Sequence, residues 1–232
     1  IKPNGRTVDF KHQFLPNDQK SKTFDFNRFI DFEADGDLME LVKGRQRLRE
    51  KIAEMRRGIK ERQAKGEVIP KAELDAFNKA ASEIGEMSWE IAERSLQKYL
   101  DGEGFIQVYP EIGAAPSSKS GDFDRIYLKE SEGKYQIFEV KGGTSPIGDR
   151  YITDVAGIKP HSVAQQGTLP YLKQILHEMG KNPKTQQLAI DLKAALELQE
   201  VEYLSYRQGF TEQGKMKQPE IHQFDITKWP PK

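Results

Sequence analysis

One stretch of this chain, SGDFDRIYLKESEGKYQIFEVKGG at residues 120–143, places more ionisable groups in a core strand than solvation alone explains. Read as two strands around a turn at residues 130–133, it sets Asp124 at the start of the first strand. Glu139 and Lys141 are two apart on the second strand and so share one face. The three side chains then converge at one end of the hairpin. Tyr135, Ile137 and Phe138 mark the second strand as buried, so Glu139 and Lys141 interrupt a core strand rather than decorate an edge. A carboxylate buried beside an amine costs several kcal/mol unless each is paired or metal-bound. Two carboxylates able to hold Mg²⁺ (or Mn²⁺), with a lysine that orients or activates a water, are the minimum equipment for phosphodiester hydrolysis. On an exposed strand the same Glu and Lys would be an ordinary solvated pair, and the apolar neighbours are what give the spacing weight.

Asp124 followed by Glu139-Val140-Lys141 on the next strand resembles the PD-(D/E)xK nuclease superfamily, the restriction-endonuclease-like fold. The continuation runs through Gly142, Gly143, Ser145, Pro146, Gly148 and Arg150 to Gln165-Gln166-Gly167-Thr168, then Tyr171-Leu172 and Ile175-Leu176. It is similar to the nuclease toxin domains at the C-termini of bacterial polymorphic toxins. The resemblance spans about residues 86–179. One departure is that Gly121-Asp122-Phe123-Asp124 replaces the leading Pro-Asp. Either aspartate can serve, and Asp124 is preferred because Phe123 and Ile126 set it within the strand, whereas Asp122 sits at a turn-like entry.

The resemblance implies a Mg²⁺-dependent endonuclease in which Asp124 and Glu139 hold the metal and Lys141 positions the water. DNA is the expected substrate, with RNA left open. It also implies a cognate immunity protein, expected to be acidic because the face it must cover is cationic, with Lys141, Arg150 and Lys159 around it. The protein would be a secreted or delivered effector acting in the cytoplasm of a target cell. The superfamily often adds a glutamate from the first helix, here Glu86, Glu90 or Glu93. At about 100° per residue, Glu93 lies at the edge of the face carrying Trp89, Ala92, Leu96, Tyr99 and Leu100, which favours it as the third ligand. Gln165 or Gln166 would stand at the N-terminus of the following helix, with Gln166 the candidate for the catalytic set.

The elements that must position these groups are partly visible. Leu38, Leu41, Leu48, Ile52, Met55 and Ile59 form one apolar seam on a helix over about residues 36–65, interrupted only by Arg45. Leu74, Phe77, Ala81, Ile84, Ser88 and Ile91 form a second, and Gly66 and Pro70 separate the two, which predicts a helical hairpin. Thr168 caps a helix with Pro170 in its first turn, closed by Gly180, and another helix follows from Thr185. Strands are expected over 105–109, 201–206 and 221–226, with a glycine-rich loop after the Glu139 strand. The order predicts an α/β (α+β) fold, a mixed sheet flanked by helices. The expected divisions are an irregular N-terminal arm over 1–35 that docks by its aromatics, a basic helical extension over 36–84 and a nuclease domain over 85–232.

Between Lys43 and Lys65 ten Lys or Arg stand against three Glu, a net of +7, in a chain where 36 Lys and Arg balance 36 Asp and Glu. A uniform basic coat is thereby excluded, and Arg56, Arg57 and Lys60 become candidates for sequence-indifferent contact with nucleic-acid phosphates. The absence of cysteine removes disulfides, thiolate zinc sites and Cys nucleophiles. No apolar run approaches a membrane span. The four histidines have no metal-binding spacing, and no Gly-x-Ser-x-Gly elbow or phosphate-binding Gly-Lys-Ser/Thr loop is present. Starting at Ile1 without a signal segment, the 232 residues read as part of a longer chain. Two rival readings are a housekeeping DNA-repair or junction nuclease and a non-catalytic nucleic-acid-binding module.

Overall fold

The computed structural model describes residues 13–14, 31–32, 34–111, 122–153, 155–156, 158 and 162–226. Strand β1 (Gln13–Phe14) precedes helix α1 (Gly36–Ala64), which begins where the Asp35 carboxylate accepts from Leu38 N at 3.0 Å and satisfies a first-turn amide. Leu38, Ile52 and Ile59 of the expected seam are buried, together with Val42, which the seam omitted, while Leu41, Leu48 and Met55 are half-buried. Gly66, at φ 77°, supplies a left-handed turn residue, and α2 (Lys71–Leu100) packs back on α1. The hairpin therefore forms as expected. Arg45, the break in its seam, reaches across: Nε donates to Ser88 Oγ at 2.7 Å, and the guanidinium lies 3.7 Å from the centre of the Phe210 ring.

Helix α2 runs unbroken through the 84/85 division. Its Ile91 packs with Phe32, Leu38 and Val42, while Ala92, Leu96 and Leu100 pack on the sheet. A single helix thus ties the basic extension to the rest, and no linker separates them.

The remaining elements are β2 (Phe105–Tyr109), β3 (Arg125–Lys129), β4 (Lys134–Gly142), β5 (Asp149–Ile152), β6 (Ser162–Gln165), α3 (Leu169–Lys181), α4 (Gln186–Glu197), β7 (Val201–Gln208) and β8 (Glu220–Gln223). Five strands form a mixed sheet in the order β2-β3-β4-β7-β8, with β4 and β7 parallel and the other neighbours antiparallel. Strand β4 is central, and its residues alternate between two apolar layers. Phe138 and Val140 face the layer that includes Ala92, Leu96 and Leu100 of α2, and Ile137 faces the layer built with Leu172, Ile175 and Met179 of α3 and Leu192 of α4. Among the described residues, then, the protein is a mixed α/β fold with four helices.

Three expectations change. The glycine-rich loop after β4 contains two strands: β5 and β6 pair antiparallel, and β1 adds to β6 in parallel, making a second small sheet. These strands are too short to show a period, and β1 comes from a part of the chain about 150 residues away. The arm over 1–35 accordingly includes a strand. Phe32 docks in the hairpin core, whereas Phe10, Phe24, Phe26 and Phe29, like the Phe14 side chain and Lys159, lie outside the described residues. Finally, Gly180 does not close α3, because its φ is not positive; the helix continues to Lys181, Asn182 N bonds Met179 O at 3.2 Å, and Pro183 follows. At the other end of α3, Thr168 Oγ1 accepts from Tyr171 N at 3.4 Å, as expected.

Candidate active site

The end of β4 that carries Glu139 and Lys141 is pressed against the backbone of α2. A Cβ on Gly142 would stand 2.1 Å from the Ser88 carbonyl oxygen and 2.7 Å from Trp89 N, so only glycine permits this approach. Arg45 reinforces the same corner through Ser88, and Arg207 Nη1 donates to Gly143 O at 3.0 Å.

Glu139 is 2% exposed, and both of its oxygens are engaged. Tyr203 OH donates to Oε1, and Gln166 Nε2 donates to Oε2 at 2.6 Å. Gln166 is itself held by Gly148 N, which donates to its Oε1 at 2.7 Å. Asp124, just ahead of β3, accepts from Val140 N through Oδ2 at 2.8 Å, which fixes it beside the Glu139 strand. Burial, and then the neighbouring Asp124 carboxyl, push the Glu139 pKa up from 4.5 to about 8. Burial likewise raises Asp124, opposed first by the charge of Lys141. Lys141 is half-buried, and its ammonium draws down both carboxyls.

Of the three helix glutamates, the fold brings only Glu93 inward. It is 5% exposed, with Oε2 paired to Arg125 Nε, while Glu90 pairs with Arg94 at 2.8 Å and Glu86 is exposed beside Ser82. Burial raises Glu93 to about 7, Arg125 opposes the rise, and the charge of Asp124 adds to it. Glu93 Oε1 is buried with no hydrogen-bond partner among the described residues.

These donors fit a hard divalent cation. The same residues form no ready-made cage of three acidic or histidine side chains. Mg²⁺, however, is typically held by one or two carboxylates together with waters and substrate phosphates. Asp124 and Glu139 would supply that pair, and Glu93, whose carboxyl feels the charge of Asp124, leaves Oε1 without a partner among the described residues.

Tyr203, Arg125 and Gln166's link to Gly148 were not foreseeable from local pattern. Tyr203 occupies an ordinary apolar strand, and Arg125 looks like a surface residue of a hairpin. The basic helix also divides in a way its composition conceals. Lys43 pairs with Glu40, Arg62 with Glu67 and Glu73, Arg49 donates to Glu212 O, and Arg56 lies 5.7 Å over the Phe77 ring. Lys43, Arg49 and Arg56 stay exposed despite these contacts, as do Arg47, Lys51, Arg57, Lys60 and Lys65. At the opposite end of β4 an open groove of about 1000 Å³, lined by Leu169, Leu176, Leu196, Val201, Phe224 and Ile226, contains none of the site residues. No helix among the described residues is long and apolar enough to cross a membrane.

In comparisons with known proteins, no family model, no curated protein and no solved structure matches this chain.

Proposed function

We propose that this chain is a metal-dependent nuclease with a restriction-endonuclease-like core, acting on DNA. The observation that carries the proposal is the carboxyl pair of half-buried Asp124 and buried Glu139, with Lys141 beside it at the end of the central strand. Such a pair is costly to bury and serves no packing purpose that an apolar pair would not serve better.

In hydrolysis a water oxygen bonds to phosphorus, the bond from phosphorus to one sugar oxygen breaks, and the departing oxygen takes up a proton. Asp124 and Glu139 would hold a divalent cation, which when bound would polarise the phosphate and acidify a water. Lys141 donates to the attacking water or to the negative charge developing on the phosphate. Tyr203 and Gln166 hold the Glu139 carboxyl in one orientation, and the Val140 amide does the same for Asp124. Glu93, held by Arg125 on the α2 side, leaves Oε1 as a further candidate ligand. Arg57 and Lys60, with Arg56, add affinity through the phosphate backbone.

The resemblance to polymorphic-toxin nucleases extends the proposal: an effector acting in a target-cell cytoplasm and neutralised by an acidic immunity protein. The test is incubation of supercoiled plasmid with Mg²⁺ or Mn²⁺, with and without chelator. Metal-dependent nicking is expected, and an intact plasmid, together with intact RNA in the parallel reaction, would refute the nuclease reading. Expression without a partner in a bacterial cytoplasm tests the toxin extension separately, since a harmless but active enzyme would leave the nuclease and remove the toxin.

A further inference from the structure

We propose that Arg150 contacts the scissile phosphate, donating its guanidinium N–H groups to the non-bridging oxygens; this assignment rests on the nuclease reading. Arg150 lies on β5, paired with Ala164 of β6. The start of that hairpin is bound to the site by two hydrogen bonds between Gly148 and Gln166: Gly148 N to Gln166 Oε1 at 2.7 Å and Gln166 N to Gly148 O at 2.8 Å. Gln166 in turn holds Glu139. These linked hydrogen bonds fix Arg150 relative to the carboxyl pair.

The guanidinium sits over the ring of Tyr171, 5.4 Å from its centroid, and Tyr171 is buried in the first turn of α3. A cation–π contact of this kind uses the charge of the guanidinium and consumes none of its N–H donors. Its charge reaches Glu139, yet both oxygens of that carboxyl are already taken by Tyr203 and Gln166. Among the described residues no carboxylate forms an ion pair with Arg150.

The other arginines around the site are committed. Arg125 is buried on Glu93, Arg207 donates to Gly143 O, and Arg45 bonds Ser88. Arg150 is half-buried, so a ligand can reach it, and it retains several donors in a planar fork. Phosphate matches that fork. Lys141, a point charge beside the carboxyls, suits the water; Arg150 suits the phosphate oxygens, which gain negative charge as the new bond forms.

The experiment uses Arg150→Ala and Arg150→Lys in the full chain. Plasmid cleavage is measured under single-turnover conditions, Mn²⁺ binding by calorimetry, and folding by thermal unfolding. The Ala variant should cleave about 10²-fold more slowly while Mn²⁺ affinity and the unfolding midpoint stay at wild-type values. Free guanidinium, at concentrations too low to denature, should restore about tenfold of that loss, and Lys should recover only part because one ammonium cannot span two oxygens. Wild-type cleavage by the Ala variant overturns the assignment. So does a loss that tracks Mn²⁺ affinity or folding and resists guanidinium, which would make Arg150 a structural residue. A wild-type chain that cleaves no nucleic acid refutes the nuclease reading itself, and that result is visible before any Arg150 variant is made.

Discussion

Tyr203 donates its phenolic hydrogen to Glu139 Oε1 across the parallel pairing of β4 and β7, where Tyr203 stands opposite Ile137 and therefore on the Glu139 face of the sheet. Both groups are fully enclosed, so neither can exchange the other for water. Tyr203→Phe leaves Glu139 Oε1 buried without its donor, a loss worth about 1–3 kcal/mol of stability. It should also weaken Mn²⁺ binding about tenfold, since the hydroxyl orients the proposed ligand Glu139. Calorimetry and chemical denaturation together check this, and unaltered Mn²⁺ affinity would remove Tyr203 from the metal site.

Glu139→Gln and Asp124→Asn each remove a proposed metal ligand with little change of volume. Both should abolish plasmid nicking and Mn²⁺ binding while the circular dichroism spectrum stays that of the wild type. Nicking at full rate in both variants would sink the assignment of the carboxyl pair.

The pH dependence of stability follows from the raised carboxyls. Glu139 at about 8 and Glu93 at about 7 lie above their ordinary 4.5, so between those limits the folded chain binds more protons than the unfolded one. Without metal, stability is therefore highest near the unfolded pKa and is lost as the pH rises toward about 8. Unfolding midpoints in chelator should fall from acid to mildly alkaline pH, and Glu139→Gln should flatten the decline. Mn²⁺ should stabilise more at the alkaline end, where less proton must be displaced. A midpoint that climbs across the window would contradict this electrostatic picture.

Gly142→Ala forces a methyl group into the Ser88 carbonyl. Because the obstacle is backbone on both sides, relief requires α2 and β4 to separate, and a destabilisation of at least about 2 kcal/mol is expected. Cleavage should fall with it, since the Glu139 strand moves. Urea denaturation that leaves the midpoint unchanged would mean that β4 and α2 have room to accept a methyl group between them.

For the basic helix the exposed charges are the ones to reverse. Arg57→Glu with Lys60→Glu should weaken DNA binding and lower the salt slope by about 2, one for each phosphate that is no longer neutralised. Arg62→Glu should instead loosen the hairpin turn, because Arg62 is paired with Glu67 and Glu73. An identical salt slope for the Arg57 and Lys60 double variant would show that this face meets no phosphate.

Local pattern by itself determines a good part of this protein. The α1–α2 hairpin, the β3–β4 hairpin, the Thr168 cap and the convergence of Asp124, Glu139 and Lys141 all follow from periods of 3.6 and 2 and from side chains a few residues apart. Glu93 is legible too, because its angle on α2 places it at the edge of an apolar face. Tertiary structure decides the rest. Only the parallel pairing of β4 with β7 brings Tyr203 to Glu139, 64 residues away, and only the packing of α2 on the sheet turns Arg125 from a hairpin surface residue into the partner of Glu93. The β5–β6 hairpin, with β1 beside it, is invisible in strands of two to four residues, yet it carries Arg150 to the site. Charge composition shows that α1 is basic; which of its cations remain exposed depends on what packs against it, since burial and pairing arise between distant segments and leave no local period to read.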